Sequence, residues 1–155
     1  MKTCAFFGAR TGEYKQYEQT LTRIIVELIE KHNVLQFFSG GRGVFDELAS
    51  HIVGELRKDY PQIKNTKVLS YMPTDKEKFV LPEKYTDTVY LLERYVPPRY
   101  AIIETNKRII EKADVIIFAA KYSVGGARTA REYAQKQNKQ IIDIEEIAEA
   151  EKRTE

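Results

Sequence analysis

Cysteine occurs once in this sequence, at Cys4, histidine twice, and tryptophan not at all. A single thiol excludes an internal disulfide, and its place in an apolar run suits a small buried hydrophobe. His32 and His51 both fall in predicted helices, so no zinc cluster can be assembled, and neither a metal nor a cofactor is expected. Long hydrophobic runs are missing too. The apolar stretch before Gly8 is too short for a secretory signal, and nothing later approaches a membrane span, so a cytoplasmic location is expected. There is no excess of charge of one sign: 25 Lys and Arg stand against 23 Asp and Glu, a net +2. That balance gives no electrostatic footprint for a nucleic-acid backbone. With no basic helix and no aromatic stripe, nucleic acid is a minor partner hypothesis.

What is present is the composition of a folded protein, with 43% hydrophobic and 31% charged residues among 155. That length suits one domain, 1–155, around one core. Thr3 to Phe7 is a compact apolar run ended by glycine, as expected of a buried strand. Tyr17, Leu21, Ile24, Ile25, Leu28 and His32 then recur at helical spacing, predicting a helix over about 14–31 closed by Asn33. Val34 to Phe38 reads as a second strand, and Val44, Phe45, Leu48, Ala49, Ile52 and Leu56 as a second helix stopped by Pro61. Lys67 to Tyr71 reads as a third strand. The span 74–99, with its prolines and tyrosines, is expected to be an irregular connection containing a short helix near Asp87 to Arg94. A helix over 101–112, the β-branched strand "ADVIIFAA", a glycine turn into another helix, the strand "QIIDI" and a charged C-terminal helix complete the chain. Strands alternating with helices predict a mostly parallel sheet of about five strands with helices on both faces.

Three of these strands end in small residues beside an arginine: Gly8-Ala9-Arg10, then Ser39-Gly40-Gly41-Arg42-Gly43, then Gly125-Gly126 with Arg128. Glycine lets backbone amides approach a ligand, and a following helix N-terminus favours an anion such as phosphate. In an open α/β sheet such turns gather at the carboxyl edge, where ligands bind. Arginine adds a planar fork for phosphate or carboxylate. The full GxGxxG pattern is missing, and no GxxxxGK[ST] string occurs, which argues against a nucleoside-triphosphatase mechanism. Asp46 falls in the first turn of the second helix, where it either caps amides or accepts hydrogen bonds from a ribose or base. Glu132, early in the helix after Gly126, faces either solvent or the shared cleft.

"CAFFGAR", "FFSGGRGVFDELA", "TNKRIIEKADVIIFAAKYSVGGARTAREYA" and "KQIIDI" together resemble the small Rossmann-like proteins of the SLOG superfamily. The similarity is greatest to its prophage and firmicute branch, related to the DNA-processing protein DprA and the Lonely Guy phosphoribohydrolases. It covers most of the chain in order, apart from the connection over 74–99. It implies a Rossmann-like three-layer α/β/α sandwich in a bacterial, cytoplasmic protein that binds a nucleotide or nucleotide derivative. The ligand-binding residues it implies are Gly8, Ala9, Arg10, Ser39, Gly40, Gly41, Gly43, Asp46, Gly125 and Gly126, and Arg42, Arg128 and Thr129 in the same turns are expected to join them. The branch usually carries GHR after its first strand, and Ala9 stands here in place of the histidine. The Lonely Guy hallmark PGGxGTxxE corresponds to residues 124–132. Gly125, Gly126, Thr129 and Glu132 fit it, while Val124 and Arg128 replace its proline and central glycine.

Three functional readings stay open. The first is binding of a nucleotide-derived ligand at the carboxyl edge, in sensing or signalling. The second is N-glycosidic hydrolysis of a nucleoside monophosphate, with Glu132 as the carboxylate, Asp46 second to it, and Arg128 clamping the phosphate. The third is a protein-interaction module in which the glycine turns are structural and the tyrosines over 71–100 form a contact. Exposed helix faces beside the cleft also leave a homodimer open.

Overall fold

The N-terminal apolar run forms β1 (Lys2–Gly8), whose residues from Thr3 to Phe7 are all buried. A turn of 3-10 helix at Lys15–Tyr17 then leads into α1 (Glu18–His32). The regular helix thus starts later than the periodicity suggests. It buries Leu21, Ile24, Ile25, Leu28 and Ile29 and leaves His32 exposed. Asn33 ends it with φ of 57°, a left-handed conformation that asparagine tolerates better than most residues. The computed structural model describes residues 1–73, 79–121 and 125–154.

β2 (Val34–Ser39) and α2 (Val44–Leu56) follow as the sequence predicts. β3 spans Lys64–Leu69, beginning and ending earlier than the run 67–71. The helix expected near Asp87 to Arg94 is not formed. Asp87–Tyr90 is instead β4, which pairs parallel to β3 from Thr66↔Asp87 to Leu69↔Tyr90. Thr88 and Val89 favour extended backbone, and the free edge of β3 takes the segment up, with the Thr66 hydroxyl donating to the Asp87 carboxylate at 2.7 Å. Part of the connection over 74–99 lies outside the described residues. Then come α3 (Pro98–Lys112), β5 (Val115–Ala119), α4 (Gly126–Lys136), β6 (Gln140–Asp143) and α5 (Ile144–Arg153).

The six strands lie in the order β4-β3-β2-β1-β5-β6, all parallel. Parallel strands need crossovers, and here the helices supply them on both faces. One core layer joins Phe6, Phe37 and Ile117 of the sheet to α1, α2 and α5, while the other joins Phe7, Ile116 and Phe118 to α3 and α4. The result is a Rossmann-like α/β/α sandwich. Cys4 is fully buried in β1, and burial pushes its thiol pKa well up, so it behaves as a small hydrophobe. Asp114, just before β5, accepts the amide of Thr3 at 2.9 Å while the Asp114 amide donates to the Thr3 carbonyl. This exchange fixes where β5 starts against β1. Among the described residues no helix is long and apolar enough to cross a membrane.

Candidate functional site

From β1 the chain runs through α1 to β2 on one side, and β5 later pairs with β1 on its other side. The sheet therefore reverses its winding at β1, and a crevice opens beyond the carboxyl ends of the strands at that point. A cleft of about 420 Å³ occupies this position. It is lined by Gly8, Ala9 and Arg10 after β1, by Gly40, Arg42 and Asp46 after β2, and by Gly125, Gly126 and Ala127 at the start of α4. All three glycine turns meet there.

The first two turns are fixed against each other by close backbone packing. A Cβ on Gly8 would lie 2.4 Å from Cβ of Phe45, so only glycine lets α2 sit over the β1 tip. Gly43 has φ of 108°, and a Cβ there would come within 2.5 Å of Cα of Arg10. The amide of Val44 donates to the Arg10 carbonyl at 3.0 Å and closes the contact. α2 thus begins directly beside the β1 turn and carries Asp46 into the cleft wall.

Asp46 is 8% exposed. Its Oδ2 accepts the backbone amide of Arg42 at 3.2 Å, while Oδ1 has no partner among the described residues. Burial pushes its pKa up to about 7, opposed by the Arg42 amide and helped by the nearby Glu47. A carboxyl poised near neutrality accepts hydrogen bonds when ionised and donates one when protonated. Arg42 lies with its guanidinium 5.6 Å from the centre of the Tyr71 ring, so its fork is held at the cleft rim.

The turn before α4 is built differently. Neither Gly125 nor Gly126 has positive φ, and a Cβ on either would meet nothing within 4 Å among the described residues. Among the described residues, their missing side chains leave open space at the N-terminus of α4.

Several residues singled out from the sequence lie elsewhere. Ser39 is buried with its hydroxyl 3.4 Å from that of Tyr85, and Gly41 backs onto Lys67 and Tyr85. Gly43 faces Arg10 rather than the cleft. Arg128, Thr129 and Glu132 are exposed on α4. Arg128 Nε and Glu132 Oε1 are 3.7 Å apart, and both border a separate groove between α4 and α5 that also holds the Arg131–Asp143 ion pair. The helix turns them away because Ala127, Ala130 and Ala134 occupy its buried stripe. Val124 lies outside the described residues.

The sequence reading missed the fourth wall. Val68 and Ser70 at the end of β3, with Ile102, Thr105 and Asn106 of α3, complete the lining. Thr105 is 1% exposed and its Oγ1 has no partner among the described residues. One signal was available: Thr105 falls on the buried stripe with Ala101 and Ile109, a lone hydroxyl among apolar residues.

No family model and no curated protein matches the sequence. Among solved structures, the fold is similar to that of DNA processing protein A (DprA) from Streptococcus pneumoniae, with a TM-score of 0.67 and 17% identity over 92% of this chain. It is similar also to DNA processing protein A from Helicobacter pylori, with a TM-score of 0.63 and 19% identity over 92% of this chain. The chain spans 50% of the first protein's chain and 64% of the second's. These likenesses show the fold. The Helicobacter pylori structure concerns that protein's single-stranded DNA binding mode, and this corrects the ranking of nucleic acid as a minor partner. Net charge averages over the whole surface, whereas binding depends on the few cations that line one groove.

Proposed function

We propose that this protein binds a nucleotide or nucleotide-derived ligand in the cleft at the carboxyl edge of its sheet, in a sensing or signalling role. The observation that carries the reading is the convergence of three glycine turns on one cleft, with Gly125 and Gly126 leaving space that no described residue fills. Backbone amides at the start of α4, together with Arg10 and Arg42 at the rim, suit a phosphate. The apolar side chains of Val68 and Ile102 suit the face of a base. The resemblance of the turns to the prophage and firmicute branch of the SLOG superfamily supports the same reading, in a bacterial cytoplasm.

The decisive experiment releases small molecules from freshly purified protein, identifies them by mass spectrometry and titrates them back by calorimetry. Recovery of a nucleotide or its derivative at stoichiometric amounts is the expected result. No bound nucleotide, and flat titrations with a broad nucleotide panel, would sink the reading.

A second reading is favoured by the Helicobacter pylori structure: the cleft takes one nucleotide of a single DNA strand. Binding of an oligodeoxynucleotide that weakens steeply with salt, and competes with the free nucleotide, is its signature. For hydrolysis of a glycosidic bond, Asp46 is the carboxylate that borders the cleft, and release of free base from nucleoside monophosphates is the assay.

A further inference from the structure

Two buried oxygens in the cleft wall lack a hydrogen-bond partner among the described residues, Oδ1 of Asp46 and Oγ1 of Thr105. Both side chains line the cleft, and they come from opposite layers of the sandwich, since α2 packs with α1 and α5 while α3 packs with α4. A buried polar atom left unpaired costs about 1–3 kcal/mol. Folding alone gives no return for that cost at position 105. Valine has the same shape, suits the stripe formed with Ala101 and Ile109, and carries no orphan hydroxyl. Threonines within helices commonly bond the carbonyl one turn back, and this one does not. Unpaired polar side chains contributed by both layers to the lining of one cleft are the arrangement expected where a ligand supplies the partners.

Resting on the nucleotide reading, we propose that Asp46 and Thr105 together read the nucleoside part of the ligand, seating a neutral hydroxyl or amino group between them. The phosphate then stays toward the glycine turns, Arg10 and Arg42. The chemistry sets this orientation. Phosphate oxygens near neutral pH mainly accept hydrogen bonds, and an ionised Asp46 repels them. A sugar hydroxyl or a base amino group donates to Asp46, and the Thr105 hydroxyl both donates and accepts. Thr105 is thereby a specificity-determining residue that no glycine motif announces.

The test titrates the wild-type protein, Thr105→Val and Asp46→Asn with the ribonucleoside 5′-monophosphates, their 2′-deoxy counterparts and inorganic phosphate, alongside thermal melts of each protein. Thr105→Val is expected to melt at or above the wild-type temperature, yet to bind its preferred monophosphate roughly tenfold more weakly. Inorganic phosphate binding should be unchanged. A loss of preference between ribose and deoxyribose identifies the seated group as a hydroxyl, and a loss of preference between bases identifies it as an amino group. Unchanged monophosphate affinity in folded Thr105→Val overturns the proposal, as does an equal loss of inorganic phosphate binding. Should Asp46→Asn fail to fold, Thr105→Val decides alone. Failure of the wild-type protein to bind any nucleotide overturns the nucleotide reading and this proposal with it, whereas indifference to Thr105→Val leaves the nucleotide reading standing.

Discussion

The two turns after β1 and β2, packed on each other as one unit, and the turn that opens α4 look alike as glycines beside arginine, yet the molecule uses them for different ends. At the first, Gly8 and Gly43 are required by the protein itself: a Cβ would strike Phe45 or the Arg10 backbone at 2.4–2.5 Å. At the second, Gly125 and Gly126 have ordinary φ and open surroundings among the described residues. A glycine run therefore reports either close packing of protein on protein or room kept for something else. Only coordinates separate the two.

The largest expected effect breaks the packed turn. Gly8→Ala should lower unfolding stability by about 3 kcal/mol in chemical denaturation, because Phe45 sits in a filled core and has nowhere to retreat. A loss under about 0.5 kcal/mol would show that α2 can shift away, and the contrast between the turns would collapse.

Next in size is the titration of Asp46, whose pKa rises from 3.8 in the unfolded reference to about 7 in the fold, chiefly through burial. Between those values the folded protein holds a proton that the unfolded chain has released. Its contribution to stability is therefore greatest at the acid end, falls as pH rises toward 7, and levels off above. The part lost between pH 5 and pH 8 is on the order of 2 kcal/mol. Asp46→Asn should accordingly be more stable than wild type at pH 8, with the gap narrowing at pH 5. Denaturation curves at both pH values check the sign, and a gap that widens toward acid contradicts it.

Smaller effects sharpen the open turn. Gly126→Val should leave stability within about 0.5 kcal/mol, since its Cβ meets no described atom within 4 Å. It should still cut nucleotide affinity severalfold by filling the cleft. Equal affinity in wild type and variant, measured by calorimetry, would mean that the space at α4 is not the ligand's. The least effect is expected from Glu132→Gln. This side chain is exposed and borders the groove between α4 and α5, so neither stability nor nucleotide affinity should change beyond error. A marked loss of binding would return Glu132 to the site.

Much of the architecture was readable from the residues because β1 and β5 are buried on both faces and appear as compact apolar runs, as does β2 apart from Gln36, each ended by a turn. β4 was not readable. It has four residues, none fully buried, and becomes a strand only because β3 offers an unpaired edge. The site divides along the same line. Gly8, Arg10, Arg42, Asp46 and Gly126 announce themselves locally, as turn and helix-start residues. Ser70 reaches the cleft through the pairing of β3 beside β2, and Thr105 through the crossing of α3 over the sheet, both long-range consequences that no short window contains. Glu132 shows the opposite failure. Its motif was legible, but the alanine stripe of α4 rotates it to the solvent side.

Both margins of the sheet, β4 and β6, are only four residues long. A strand that short exposes few free amides and carbonyls, which gives an incoming chain little to pair with. Both sides of the sheet thus give a second copy little backbone to pair with, unlike the carboxyl end, where the glycine turns gather around the cleft.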